Sequence, residues 1–359
     1  MNFDLSEEQE MFCASVQRFA APIDVEARRK LRLSPTGYDR DRWQKLAELG
    51  LIALAVPEEE GGMGGSPGDL ALVHEAIGKA NSPDPLLEHG VLPACLLEGH
   101  EALESVLSGE RIATLAWAER SQRFSLTPVG VTAEASGDGF IISGEKTFVI
   151  GGLLADLFLV TASLEGETAV FAVPAHAPGI DQRAYRLTDG SIACEIRLTR
   201  VAVGRSARLN HDATSLAHIV PTIRLCSAAE LVGLGQRLLD DTLVFVKERE
   251  QFGVAIGTFQ ALQHRLVEAY ARLEQSRSML YRAALSDPSS ALEWSKAAAG
   301  AKAFITENVD AISREAVQMH GGMGSTDELA IGHAMKRALV RGRLFGDAES
   351  VLAEYAQAA

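Results

Sequence analysis

Two short stretches of this 359-residue chain hold residue types that grip phosphates. The first is Lys247-Glu248-Arg249-Glu250-Gln251-Phe252-Gly253, followed by Ile256, by Phe259-Gln260 and by Gln263. A planar guanidinium and amide donors (Arg249, Gln251, Gln260) gather at one helix boundary, a combination suited to phosphate or pyrophosphate. A charged helix end, a stop at Gly253 and a new helix is the plainer reading; it explains the glycine but not the clustering. The second stretch is Gln318-Met319-His320-Gly321-Gly322-Met323-Gly324. Three glycines in four residues let a ligand approach the backbone where side chains would block it. His320 reads as a helix-end residue, because cationic side chains suit helix C-termini.

Other signatures fall away. Gly139-Phe140-Ile141-Ile142-Ser143-Gly144-Glu145-Lys146-Thr147 nearly spells a phosphate-binding loop, but Glu145 spoils the spacing and the interior reads as strand. Gly233-Leu234-Gly235 lies inside a helical pattern with no strand before it, so it is no dinucleotide fingerprint. No zinc-protease motif occurs. Cys13, Cys95, Cys194 and Cys226 stand far apart, which disfavours a zinc knuckle or a disulfide frame and suits a reducing cytosol. Lys and Arg number 34 against 48 Asp and Glu. The resulting net charge of −14 repels nucleic acid, although a local basic site still accepts a small anion. No apolar run approaches the length of a membrane span. The start, Met1-Asn2-Phe3-Asp4, lacks the basic and apolar regions of a signal peptide.

The elements that must position these stretches fall into three zones. Up to about residue 110 the pattern is helical. Ser6 caps a helix with Phe12, Val16 and Phe19 at helical spacing, a second helix near 41–49 stops at Gly50, residues 57–68 form a loop, and helix resumes at 69–80. From 111 to about 205, short β-branched and aromatic runs alternate with Gly, Asp and Pro, which predicts a small antiparallel β domain rather than a doubly wound sheet. From about 210 the pattern is helical again: Leu231, Leu234, Leu238 and Phe245 form a stripe, 260–284 and 291–319 follow, and a last helix begins near Asp347.

In this order the segments resemble the acyl-CoA dehydrogenase family over nearly the whole chain. The resemblance rests on Glu58-Glu59-Glu60-Gly61-Gly62-Met63-Gly64, on Ser143 to Ile150, on Arg249-Glu250-Gln251-Phe252-Gly253 with Phe259-Gln260, and on Gln318 to Gly324. It implies an α+β multidomain fold. An N-terminal helical domain would occupy 1–110, a central antiparallel β-barrel domain 111–208, and a C-terminal four-helix bundle 209–359. It implies FAD, bound between the β domain and the bundle, with one subunit's Arg-x-Gln-Phe-Gly segment on its neighbour's cofactor. Arg249, Gln251, Phe252, Gln260, Gln318, Gly321 and Gly322 fall at FAD positions. Trp117, Ala118, Phe148 and Ile150 fall where the β domain lines the flavin ring. In that chemistry a carboxylate takes the α-proton of an acyl thioester and the flavin takes the β-hydride.

The departures are equally specific. The family's usual base is the Glu of a Tyr-Glu-Gly-Thr segment, and here that segment reads Phe345-Gly346-Asp347-Ala348. A minority branch carries its Glu directly before an Arg at the start of a C-terminal-domain helix, where this chain has Ile223-Arg224. Arg224 is thus implied as a positioning residue without that carboxylate. The Glu-Pro-Gly-x-Gly-Ser-Asp loop is replaced by Glu119-Arg120-Ser121-Gln122-Arg123, and Ile150 stands where a hydroxyl usually bonds the flavin. This pattern resembles the catalytically incomplete subunits of heteromeric acyl-CoA dehydrogenases known from bacterial sterol and bile-acid side-chain breakdown. The implied partners are an acyl-CoA, an electron-transfer flavoprotein or similar acceptor, and a related Glu-bearing subunit in a cytoplasmic oligomer, with neither nucleic acid nor membrane. Three alternatives stand beside this: a self-sufficient enzyme using Asp347, a different flavin reaction such as oxidation by O₂, and a non-catalytic scaffold.

Overall fold

The computed structural model describes residues 5–21, 24–122 and 124–357. The readings of Met1 to Asp4 and of Arg123 lie outside them. In chain order the elements are α1 (Glu7–Phe19), α2 (Val25–Leu33), α3 (Arg40–Glu48), α4 (Pro67–Lys79), α5 (Leu92–Leu96), α6 (Leu103–Leu107), β1 (Ala113–Ala116), β2 (Thr132–Ser136), β3 (Gly139–Ile150), β4 (Leu157–Leu164), β5 (Glu167–Pro174), β6 (Ile180–Arg186) and β7 (Ile192–Gly204). Then come α7 (Ala213–Glu248), β8 (Glu250–Gln251), β9 (Val254–Ala255), α8 (Gln260–Ala284), α9 (Ala291–His320), α10 (Ala330–Arg341) and α11 (Ala348–Gln357). The expected order of helices, strands and helices is therefore present.

Local chemistry sets the boundaries. Ser6 and Gln9 form a capping box on α1: Gln9 N donates to Ser6 Oγ at 3.2 Å and Ser6 N to Gln9 Oε1 at 3.1 Å. Asp39 caps α3 by accepting from Asp41 N at 3.0 Å. α4 starts at Pro67, two residues before the sequence reading, because a proline ring suits a first turn whose N–H has no helical partner.

The chain forms two compact units, one of residues 1–30, 67–82 and 221–359, the other of residues 31–66 and 83–220. The second contains one seven-stranded sheet in the order β1-β4-β2-β3-β7-β6, with β5 on β4. β2–β3, β3–β7, β6–β7 and β4–β5 pair antiparallel, as expected. β1 and β2 instead run parallel to β4, Ala113–Ala116 beside Leu157–Val160 and Thr132–Ala133 beside Ser163–Leu164. That correction has a simple cause: the β2–β3 hairpin intervenes, so the chain re-enters beside β1 in the same direction. Among the described residues no helix joins these strands, so the sheet is not doubly wound. Phe158, Val160, Phe171, Val173, Cys194 and Ile196 form its core.

The first unit is a bundle of α7 to α10 with α11 packed on α9. Leu231, Leu234 and Leu238 are buried in its core, with Phe245 half-buried beside them. Gly233 finds its role here: a β-carbon on it would overlap Glu75 O of α4, and one on Gly78 of α4 would overlap Glu230 O of α7. Paired glycines thus let the two backbones touch. By length and composition α7 could cross a bilayer, contrary to the sequence reading, yet 72% of its apolar window is buried in the protein. It is a core helix.

Candidate active site

The first phosphate-type stretch is a hairpin between two helices. α7 ends at Glu248, β8 pairs with β9, and Phe252-Gly253 make the two-residue turn with φ of +57° and +79°. Two left-handed residues in succession define a type I′ turn, which glycine adopts freely and phenylalanine does not. Phe252 is 94% exposed; its ring meets Phe259 edge-on, centroids 6.2 Å apart. Arg249, Gln251 and Gln260 are exposed around it. The sequence reading foresaw the Gly253 break but not the strand pair, because two-residue strands leave no periodicity.

α9 ends at His320, whose Nδ1 lies 2.8 Å from Ala316 O and whose ring stacks on Phe245 of α7 at 4.2 Å and 24°. The helix-end reading of His320 holds, and the stack ties that end to α7 one turn before Arg249. Gln318 is exposed. A β-carbon on Gly321 or Gly322 would meet nothing within 4 Å, so this turn leaves its backbone open to an incoming ligand.

The turn between α10 and α11 holds Phe345 and Gly346, with φ of +53° and +118°. A β-carbon on Gly346 would overlap Val351 Cγ2 and lie 3.7 Å from Arg224 Nη2. Arg224 is buried; its Nη2 donates to Glu354 Oε2 at 2.6 Å and its Nε to Phe345 O at 3.4 Å. Asp347 caps α11, its Oδ1 accepting from Ser350 N at 2.9 Å. Deeper in the bundle, Glu230 of α7 accepts from Arg337 Nε of α10 at 2.7 Å, and its other carboxylate oxygen lies 2.7 Å from Arg341 Nε as an ion pair. Burial pushes the Glu230 carboxyl up, but the two guanidiniums outweigh it and hold the group below its ordinary range.

In the β unit, Lys146 is buried and donates to Glu119 Oε1 at 2.7 Å, Thr161 Oγ1 at 2.9 Å and Trp117 O at 3.2 Å. Glu119 Oε2 accepts from Val129 N at 3.1 Å and Gly130 N at 2.5 Å. Burial brings the Lys146 ammonium down to about 8, with Glu119 pulling the other way. The pair pins the end of β1, where Trp117 and Ala118 are buried and Ala118 O accepts from Thr147 N at 2.8 Å. Phe148 sits in a bulge of β3 with φ +55°, and Ile150 brings a methyl-bearing side chain where the resemblance expects a hydroxyl. Arg120 and Ser121 border a cleft of about 500 Å³ on this unit. Sequence reasoning missed the Glu119–Lys146 and Glu230 networks, because their partners lie 27 and 107 residues apart.

An exposed aromatic with amide and guanidinium donors on a hairpin, and an open glycine turn, suit a large planar cofactor that carries phosphates. The chain also matches known proteins along its length. Residues 6–98, 114–201 and 213–359 match the N-terminal, middle and C-terminal domains of acyl-CoA dehydrogenases. The protein belongs to the acyl-CoA dehydrogenase family, FAD-dependent oxidoreductases that act on CH–CH bonds. Among its relatives is the acyl-CoA dehydrogenase IpdE2 of Mycolicibacterium smegmatis, 32% identical over 95% of this chain and 96% of that one. Among solved structures, the ChsE4–ChsE5 complex from Mycobacterium tuberculosis matches with a TM-score of 0.86 at 27% identity, covering 99% of this chain and 98% of that one. PigA with FAD and proline matches at 0.90 and 26%, with the same coverage.

Proposed function

We propose that this chain is the subunit of a heteromeric acyl-CoA dehydrogenase that lacks the catalytic carboxylate and works beside a related Glu-bearing subunit. The observation that carries the reading is Gly346, whose side-chain space is filled by Val351. The assembly would desaturate the α,β bond of an acyl-CoA thioester and pass electrons to an electron-transfer flavoprotein or similar acceptor. The solved Tcur3481–Tcur3483 steroid acyl-CoA dehydrogenase, 27% identical at a TM-score of 0.86, supports a bulky steroid-derived acyl group as substrate, and the ChsE4–ChsE5 complex supports a two-subunit assembly. Cys13, Cys95, Cys194 and Cys226 stand outside disulfides, which supports a cytoplasmic setting. The division into 1–110, 111–208 and 209–359 belongs to the same reading.

When bound, FAD supplies the hydride acceptor. Arg249, Gln251 and Phe252 of this chain's hairpin would hold the dinucleotide of a neighbouring subunit, with Gln260, Gln318 and the open backbone of Gly321 and Gly322 completing the phosphate contacts. Trp117, Ala118, Phe148 and Ile150 would line the ring from the β unit. A placed general base contributes roughly 10²–10⁴-fold. Position 346 offers only a backbone N–H, which can donate to a thioester carbonyl but cannot take a proton. Arg224 would orient that turn through Phe345 O.

The test is co-expression with a Glu-bearing paralogue, followed by flavin content per subunit and flavin reduction by an acyl-CoA. The expected result is reduction by the pair and none by this chain alone. Reduction by the isolated chain would overturn the reading in favour of the self-sufficient alternative.

A further inference from the structure

The turn that carries Gly346 is held from below by a group the proposed chemistry does not use. Lys302, in the middle of α9, is fully buried. Its Nζ donates to Arg341 O at 2.6 Å and to Ser227 Oγ at 3.1 Å. Arg341 is the last residue of α10, so its carbonyl sits at the negative end of that helix. Three donors converge on that oxygen: Lys302 Nζ, Ser227 Oγ at 3.0 Å and Leu344 N at 3.3 Å. Four residues on, Arg224 Nε reaches Phe345 O. The segment from Gly342 to Asp347 is thus gripped near both ends by basic side chains of other helices, and beyond it Asp347 caps α11.

We propose that Lys302 is a positioning residue: its amine clamps the C-terminal end of α10 and so fixes the turn that presents position 346. The inference rests on the reading that this turn faces the acyl thioester.

The clamp is sensitive to pH, because of what surrounds it. From α7 come Arg224 and Glu230, from α10 Arg337 and Arg341, and from the turn and α11 Asp347 and Glu354, the last held by Arg224. Those six groups balance at three positive and three negative charges, so a protonated Lys302 leaves one buried positive charge in excess. Burial first, and then Arg341 and Arg224, bring its ammonium down to about 7. If the turn loosens, water reaches the amine and its ordinary value near 10.5 returns. The closed turn therefore binds fewer protons than the open one between about 7 and 10.5. Raising the pH through that window favours the closed turn; lowering it favours opening.

The experiment is hydrogen exchange on the full chain between pH 6 and pH 9, corrected for the intrinsic rate and read on the segment 342–350. In the parent protein, protection should rise with pH above 7, by up to about tenfold per unit. Lys302→Met keeps the volume and removes the titration, and should flatten that rise. Ser227→Ala removes only the neutral donor; it should lower protection about fivefold and keep the rise. An equal rise in Lys302→Met, or its loss in Ser227→Ala, overturns the clamp. A second measurement separates the clamp from the reading beneath it: acyl-CoA affinity of the co-expressed pair over the same pH range. Affinity that follows the protection supports both. A rise in protection abolished by Lys302→Met, with affinity unmoved, supports the clamp and overturns the placement of the turn at the thioester.

Discussion

The guanidinium of Arg224 lies 3.7 Å from the point where a β-carbon on Gly346 would sit, and it is already paired with Glu354. A carboxylate at position 346 would have found its counter-ion there. In this chain Glu354 neutralises that charge from α11, and Val351 occupies the space.

Restoring a Glu at position 346 is therefore expected to fail in this chain alone. Gly346 holds φ +118°, a region that costs an L-residue about 1–3 kcal/mol, and the overlap with Val351 adds overpacking of roughly 1–3 kcal/mol. Gly346→Glu should lower the melting temperature and leave flavin reduction by acyl-CoA undetectable. Trimming the obstruction in Gly346→Glu/Val351→Ala should recover part of the stability. A thermal melt and anaerobic flavin spectra check both outcomes.

Asp347 is a helix cap by its geometry. Asp347→Asn keeps an oxygen for Ser350 N and should leave stability within a few tenths of a kcal/mol, whereas Asp347→Ala should cost about 1 kcal/mol. In the co-expressed pair, Asp347→Asn should leave turnover unchanged. Loss of turnover at unchanged stability would make Asp347 the base.

Phe252 pays conformational strain at an exposed tip. Asparagine tolerates the left-handed region, so Phe252→Asn should leave the isolated chain as stable or up to about 1 kcal/mol more stable. The same variant should lower flavin retention in the assembled oligomer, read as the ratio of flavin to protein absorbance after gel filtration.

The Glu119–Lys146 pair should give the β unit two pH dependences. Burial raises the Glu119 carboxyl, but Lys146 and the Gly130 N–H outweigh it and hold the group below its ordinary value. Its contribution is complete above the unfolded value near 4.5 and is lost as the pH falls through the lower folded value. Lys146 is depressed to about 8, so its penalty is full below that value and fades as the pH rises towards 10.5. Stability should therefore fall on acidification below 4.5 and rise between about 8 and 10.5. Glu119→Gln should cost roughly 3–5 kcal/mol at pH 7, because it strands a buried ammonium, and should weaken the acid-side slope. Denaturant unfolding at stepped pH measures both.

What the sequence alone determined was periodic or local. Strand alternation between 111 and 205, the Ser6 cap, the stripe of Leu231, Leu234 and Leu238, and the glycines after His320 each follow from neighbours a few residues apart. α10 escaped that reading. Its inward face mixes the small stripe Ile331, Ala334 and Ala338 with Arg337 and Arg341, so the pattern reads as charged, and only Glu230, 107 residues before Arg337, explains why arginines point inward. The same holds for Lys302, a lysine that reads as solvent-facing until Arg341 O and Ser227 close over it. Gly346 is visible in the sequence as a missing carboxylate. That Val351 fills its space, and that Arg224 has taken Glu354 as partner, depends on how α7 and α11 pack. The Arg224–Glu354 pair joins residues 130 positions apart, and the fit of Val351 over Gly346 depends on the fold of the turn between them, so no local pattern encodes either.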